Sequence, residues 1–191
     1  MHRRASAAVR VLQRSSSPNK FWSWGRVWDG LAIAVILFVA WRWFVAPRMM
    51  DVAKAYPAPH LTYAMLDGGS FALTQARGKV VFLDFWASWC EPCRLSLPLV
   101  EAFAKAHPEV EVVAVDVGEP KQIAGAYAAK AGLRNVALDV RKLSVGYFQI
   151  EGYPTMVVID PQGRIRATWP GFNPAVGANM DAAAKRLSSG G

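Results

Sequence analysis

Cys90 and Cys93 are the only thiols in this 191-residue chain, and they stand two residues apart in KVVFLDFWASWCEPCRLSLP, residues 79–98. Such a pair can serve as a structural bridge, as half of a metal site, or as a dithiol that cycles between oxidised and reduced forms. A bridge across two residues closes a loop too small to remove much chain entropy. A zinc site needs four ligands, usually as two closely spaced pairs. The three histidines, His2, His60 and His107, are scattered without ligand spacing, so no metal site is expected. The pattern favours a redox dithiol whose only redox group is its own disulfide, with no bound cofactor.

The elements around the pair assign its two sulfurs different tasks. Val80 to Trp86 is continuously β-branched or aromatic apart from Leu83 and Asp84, as expected of a strand buried on both faces. Leu95, Leu99, Phe103 and Ala106 then follow helical spacing, with Pro92 in the first turn, where proline is tolerated. Cys90 therefore falls at a helix start, where free amides and the helix dipole favour a thiolate, and it should be the attacking sulfur. Glu91 tempers that stabilisation. Cys93, one turn further in, is the sheltered resolving sulfur. Asp84 lies inside the apolar strand, so its carboxylate should be desolvated and its pKa raised. Trp89 precedes the nucleophile and is expected to shield it, whereas Trp86 reads as core.

Strands and helices alternate along the rest of the chain. A short hairpin is expected around Asp67-Gly68-Gly69, then strands at 80–86, 110–117 and 137–140, with helices at 120–131 and 143–148. Thr155–Asp160 and Ile165–Trp169 flank Pro161-Gln162-Gly163 as a closing hairpin, and Pro174–Leu187 reads as a terminal helix. This order predicts an α/β fold, a mixed central sheet with helices on both faces.

Charge divides the chain unevenly. Residues 1–50 hold eight basic side chains and one acid, a balance of +7, which leaves +1 of the net +8 for the other 141 residues. A nearly neutral main domain excludes a nucleic-acid function for it. Residues 27–46 supply about the 20 residues of a membrane crossing, with Trp22, Trp24 and Trp28 before the uninterrupted apolar run 31–41 and Trp41 and Trp43 at its far end. A cleaved signal peptide competes with an uncleaved anchor, but Phe44, Ala46 and Pro47 make a poor cleavage site. The expected organisation is a cytoplasmic basic arm (1–26), a transmembrane anchor in the bilayer (27–46), a proline-containing linker (47–60) and an exported domain (61–191).

FLDFWASWCEPC, Pro98 within the following helix and the later Tyr153-Pro154-Thr155 resemble the thioredoxin superfamily. RGKVVFLDFWASWCEPCRLSLP, VVAVDVGEPKQI and GYPTMVVIDPQGRI are together similar to its membrane-anchored TlpA/ResA branch, over residues 60–187. The resemblance implies a thioredoxin-like fold and an enzyme that reduces disulfides of exported proteins, with apocytochrome c as a possible substrate. It places that enzyme as a single-pass protein of the bacterial inner membrane, with its C-terminal domain in the periplasm and a membrane thiol-transfer protein as electron donor. It also implies a cis peptide bond at Pro154, packed against the cysteine turn, and pairing of an extended substrate with the Tyr153 backbone. In thioredoxins the acid matching Asp84 relays protons to the resolving cysteine. The chain departs from the branch at Ser96, where ResA-like members carry an acid. A second reading from another class is a copper-binding assembly factor for a respiratory oxidase, with the two cysteines as soft ligands and Met156 as the nearest candidate third ligand.

Overall fold

Residues 81–86 are buried at every position, because the strand they form is covered on both faces and has neighbours on both edges. The computed structural model describes residues 21–44 and 55–188. Most of the expected basic arm, the last two residues of the expected anchor, positions 47–54 of the expected linker and the extreme C-terminal tail lie outside the described residues. The chain divides into two compact units, the first ending at Phe44 and the second beginning at Val45.

The first unit contains helix α1 (Phe21–Phe44). Its described side chains run from Trp28 to Val39. Trp28, Leu31, Ile33, Ile36, Leu37 and Phe38 among them are exposed. Among the described residues no helix is long and apolar enough to cross a membrane.

The second unit is an eight-stranded sheet. Its strands are β1 (Tyr56–Pro57), β2 (Thr62–Met65), β3 (Ser70–Ala72), β4 (Val81–Trp86), β5 (Glu111–Val117), β6 (Val136–Asp139), β7 (Thr155–Ile159) and β8 (Arg164–Pro170), in the order β1-β8-β7-β4-β5-β6-β2-β3. β4, β5 and β6 are parallel, and β7, β8 and the β2–β3 hairpin are antiparallel to their neighbours. Helices α2 (Glu91–Ala106) and α3 (Lys121–Ala131) make the two parallel crossovers, α4 (Leu143–Phe148) leads into β7, and α5 (Val176–Ser188) closes the chain. This is the mixed α/β sheet expected from the sequence.

Alternation along β4 decides what reaches the site. Val81, Leu83 and Phe85 join one core with Val113, Val115, Val157 and Phe148 of α4. Phe82 points the other way, into a second core with Val100 and Phe103 of α2 and Met180 and Leu187 of α5. The Phe82 and Phe103 rings meet edge to face at 5.5 Å, an arrangement worth ~1 kcal/mol beyond its buried area. Because side chains repeat every two residues on a strand, Asp84 shares the Phe82 face and lies beneath the helices.

Two features differ from the sequence reading. The expected linker 47–60 is not free of regular structure, because Tyr56 and Pro57 pair with Ile165 and Arg164 as an edge strand. Proline is tolerated at an edge, where its missing N–H costs no ladder bond, and two residues are too few to show a period. Leu73–Ala76 forms a 3₁₀ turn that buries Leu73 and Ala76. Helices of one turn carry no distinctive pattern.

Candidate active site

β4 ends at Trp86, and Ala87-Ser88-Trp89 carry the chain over to α2. Cys90 is the N-cap residue of α2. Its backbone is extended, and its sulfur accepts the Cys93 backbone N–H at 3.2 Å. Glu91 and Pro92 fill the first turn, and Pro92 loses nothing there because its N–H would have no partner. The two sulfurs are joined as a disulfide, with Cα atoms 5.3 Å apart. Cys93 is fully buried and Cys90 is 3% exposed, so the little surface the pair shows belongs to Cys90. An amide aimed at Cys90 Sγ stabilises the thiolate once the bond is reduced.

The peptide bond between Tyr153 and Pro154 is cis. Tyr153 is partly buried and packs against the cluster that holds Trp86, Cys90 and Cys93. Trp89 is 67% exposed, and its ring meets the Tyr153 ring edge-on at 5.8 Å. Trp89 and Tyr153 thus meet beside the cluster that holds Cys90, Pro154 is buried and lines the small cavity that also holds Asp84, and Trp86 is core and packs on Tyr127 in a tilted pair at 5.1 Å.

Asp84 is 1% exposed and pairs in the sheet with Ala114 on one side and Met156 on the other. Its Oδ2 has no hydrogen-bond partner in the protein. Burial pushes its pKa up to about 7, so near neutral pH it holds a proton for about half the time. Ser96, one turn beyond Cys93, is buried and lines a small cavity together with Asp84.

A second carboxyl arrangement beside the dithiol was not anticipated from sequence. Glu119 Oε2 accepts the Ser88 backbone N–H at 2.6 Å, and Oε1 accepts the Ser88 hydroxyl at 2.7 Å. Asp116 Oδ1 in turn accepts the Glu119 backbone N–H at 3.3 Å. Burial pushes the Asp116 carboxyl up to about 8, and the Glu119 carboxylate adds to the rise. Burial works against ionised Glu119 as well, but the Ser88 and Asp116 hydrogen bonds prevail and hold its pKa below the usual value. Charged Glu119 therefore pins the loop two residues before Cys90, next to a protonated Asp116. The only sequence signal was acids at the end of an apolar strand, in VVAVDVGEP. Recognising it required knowing that the ends of β4 and β5 lie side by side.

Asp139 accepts the Leu143 and Ser144 amides at 2.9 and 2.7 Å and so caps the start of α4. Burial raises the Tyr153 pKa, with Asp139 and Asp116 adding to the rise. Among the described residues no group of three or more His, Cys, Asp or Glu side chains could hold a metal ion. His107 stacks on Phe103 at 4.3 Å and contacts Glu109, and His60 is exposed. Met156 is buried beside Asp84.

A dithiol turn at a helix start, a cis proline and this mixed sheet define a thioredoxin-like thiol–disulfide oxidoreductase. Comparisons with known proteins agree. A family model described as thioredoxin-like matches residues 78–165. The thiol-disulfide oxidoreductase ResA of Geobacillus thermodenitrificans is 33% identical over 118 residues, covering 60% of this chain and 68% of the relative. Among solved structures, a thiol:disulfide interchange protein of Chlorobium tepidum superposes with a TM-score of 0.63 at 25% identity, covering 72% of this chain and 99% of that one. The exposed lipoprotein thioredoxin of Streptococcus pneumoniae superposes with a TM-score of 0.57 at 29% identity, covering 66% and 98%. The chain belongs to the TlpA/ResA-like thiol–disulfide oxidoreductases of the thioredoxin superfamily.

Proposed function

We propose that this oxidoreductase is anchored in the bacterial inner membrane and reduces disulfides of exported proteins, apocytochrome c among them. The observation that carries the reading is the asymmetry of the two sulfurs, with Cys90 capping α2 under the Cys93 amide and Cys93 enclosed. In the reduced protein the Cys90 thiolate attacks one sulfur of a substrate disulfide. A mixed disulfide forms and the other substrate sulfur leaves as a thiolate. Cys93 then gives its proton to the Asp84 carboxylate and attacks Cys90 Sγ. The second substrate sulfur departs, two electrons have passed to the substrate, and the Cys90–Cys93 disulfide remains. Trp89 and the Tyr153-Pro154 backbone hold the substrate segment by strand addition. A membrane thiol-transfer protein restores the dithiol, and no bound cofactor takes part.

Reduction rather than oxidation is favoured by the charges near Cys90. Glu91 and Glu119 are both acidic, Arg94 beyond Cys93 is paired with Glu91 at 3.3 Å, and no cation or histidine stands between the cysteines, so the thiolate lacks the cationic neighbour that a strong oxidant uses. The exported location is supported by the basic leader before the apolar run and by a structural relative that is an exposed lipoprotein. An alkaline phosphatase reporter fused after Pro59 should be active only outside the cytoplasm, and the full-length chain should fractionate with membranes. A soluble exported form beginning near Tyr56 would show that the apolar segment is a cleaved signal peptide.

A further inference from the structure

Three exposed apolar side chains fall on one short stretch: Val140, Leu143 and Tyr147 are 54, 41 and 58% exposed. Val140 follows β6, and Leu143 and Tyr147 lie four residues apart on α4, so they share one face of that helix. Single apolar residues are normal on a surface, but a cluster marks a binding face. Arg141 and Lys142 stand among them, both exposed and neither in an ion pair among the described residues. The neighbouring acid, Asp139, is buried and spends its carboxylate on the Leu143 and Ser144 amides. From Val140 to Gly152 the one exposed acid is Glu151, so the face is apolar and basic.

The backbone fixes this face at a cost. Lys142 and Gln149, which bracket α4, are the two non-glycine residues with left-handed backbone among the described residues, at φ 57° and 54°. Lysine and glutamine are uncommon in that region, and such conformations cluster where a ligand is held. The Lys142 stem lies across Gly118, where a β-carbon would collide with Lys142 Cε, and Gly118 itself has φ 85°. The turn between β5 and α3 is thus shaped to seat this lysine. Tyr153 connects the face to the dithiol. It packs against the core that contains Phe148 of α4 and against the cluster of Cys90 and Cys93, and its ring meets Trp89. We propose that α4 is a substrate-selecting surface: a segment of the exported substrate that crosses Trp89 and Tyr153 continues over Val140, Leu143 and Tyr147. That segment is apolar and carries acidic neighbours, which Arg141 and Lys142 attract. The two cations determine specificity and take no part in electron transfer.

The inference rests on the reductase reading, and the test separates the two. Two peptides, each closed by one disulfide, carry Leu-Glu-Glu or Leu-Lys-Lys on both flanks, and a third carries Gly-Glu-Glu. The reduced full-length chain in neutral detergent is mixed with each in a stopped-flow instrument. Ratios of the rate constants are read, because a ratio cancels any general loss of activity. The wild type should favour Leu-Glu-Glu over Leu-Lys-Lys about fivefold at low salt, the range of two exposed ion pairs. The preference should shrink as ionic strength rises, and the Arg141→Glu, Lys142→Glu double variant should reverse it. Gly-Glu-Glu should react about threefold more slowly than Leu-Glu-Glu, as for loss of a partly buried leucine, and Leu143→Ser should close that gap. Equal rates for all three peptides, or preferences that survive these substitutions, would overturn the surface and leave the reductase. With equal rates, hydrogen exchange at residues 140–147 slowed only in nanodiscs of anionic lipid would assign the face to a bilayer instead. If none of the peptides is reduced, the reductase reading fails and the surface with it.

Discussion

The Cys93→Ser protein should accumulate a mixed disulfide between Cys90 and exported partners that reductant cleaves, whereas Cys90→Ser should trap nothing. The difference follows from geometry. Cys90 caps α2 and has the small exposed surface, while Cys93 is enclosed between α2 and the sheet. Removing the enclosed sulfur leaves attack intact and removes the only group positioned to release the product. Multiple turnover should fall by several orders of magnitude in both variants, with Cys90 alkylation persisting only in Cys93→Ser. Affinity capture followed by non-reducing electrophoresis reads the result. Trapped partners carrying Cys-x-x-Cys-His would support apocytochrome c as substrate. Trapping through Cys93 would reverse the assigned roles.

Asp84→Asn should make the protein more stable and less active at the same time. Burial raises the Asp84 pKa from 3.8 to about 7, so between those values the native state holds a proton that the unfolded state has lost. Stability therefore falls as pH rises through this window, and the group's favourable contribution is complete only below pH ~4. A shift of about three units corresponds to ~4 kcal/mol. Neutral asparagine escapes that loss. In denaturant titrations of the oxidised form, where the cysteines do not titrate, the two proteins should nearly match at pH 4, and the variant should lead by up to ~4 kcal/mol at pH 8. Resolution of the mixed disulfide should slow on the order of 10²-fold near neutral pH. Equal stability at both pH values would mean that the carboxylate reaches solvent.

The chemistry was legible in sequence where it lies on one continuous stretch. Cys90 and Cys93 announce themselves by spacing, Pro92 by its place in a first turn, and Asp84 by being an acid in an apolar strand. The parallel strands and their helices followed from the change between continuous apolar runs and helical spacing. What was not legible depends on contacts between distant segments. Glu119 matters because β5 ends beside Ser88, 31 positions earlier. Asn179 and Ser96 meet at one cavity across 83 residues, and nothing local in either helix marks them. Tyr56 and Pro57 joined the sheet only because β8 offered an open edge. For Ser96, the departure from the resembled branch was visible in sequence, but its place in a cavity with Asp84 was not.

The reduction potential of the Cys90–Cys93 pair tests the central claim, that this dithiol is a reductant, most directly. The full-length protein in detergent would be equilibrated with dithiothreitol redox buffers, quenched with acid and scored for free thiols. With Glu91 and Pro92, and no cation or histidine, between the cysteines, the expected potential is close to that of thioredoxin, about −270 mV. A value near −120 mV, the strongly oxidising end of the superfamily, would contradict the account and reverse the direction of electron flow.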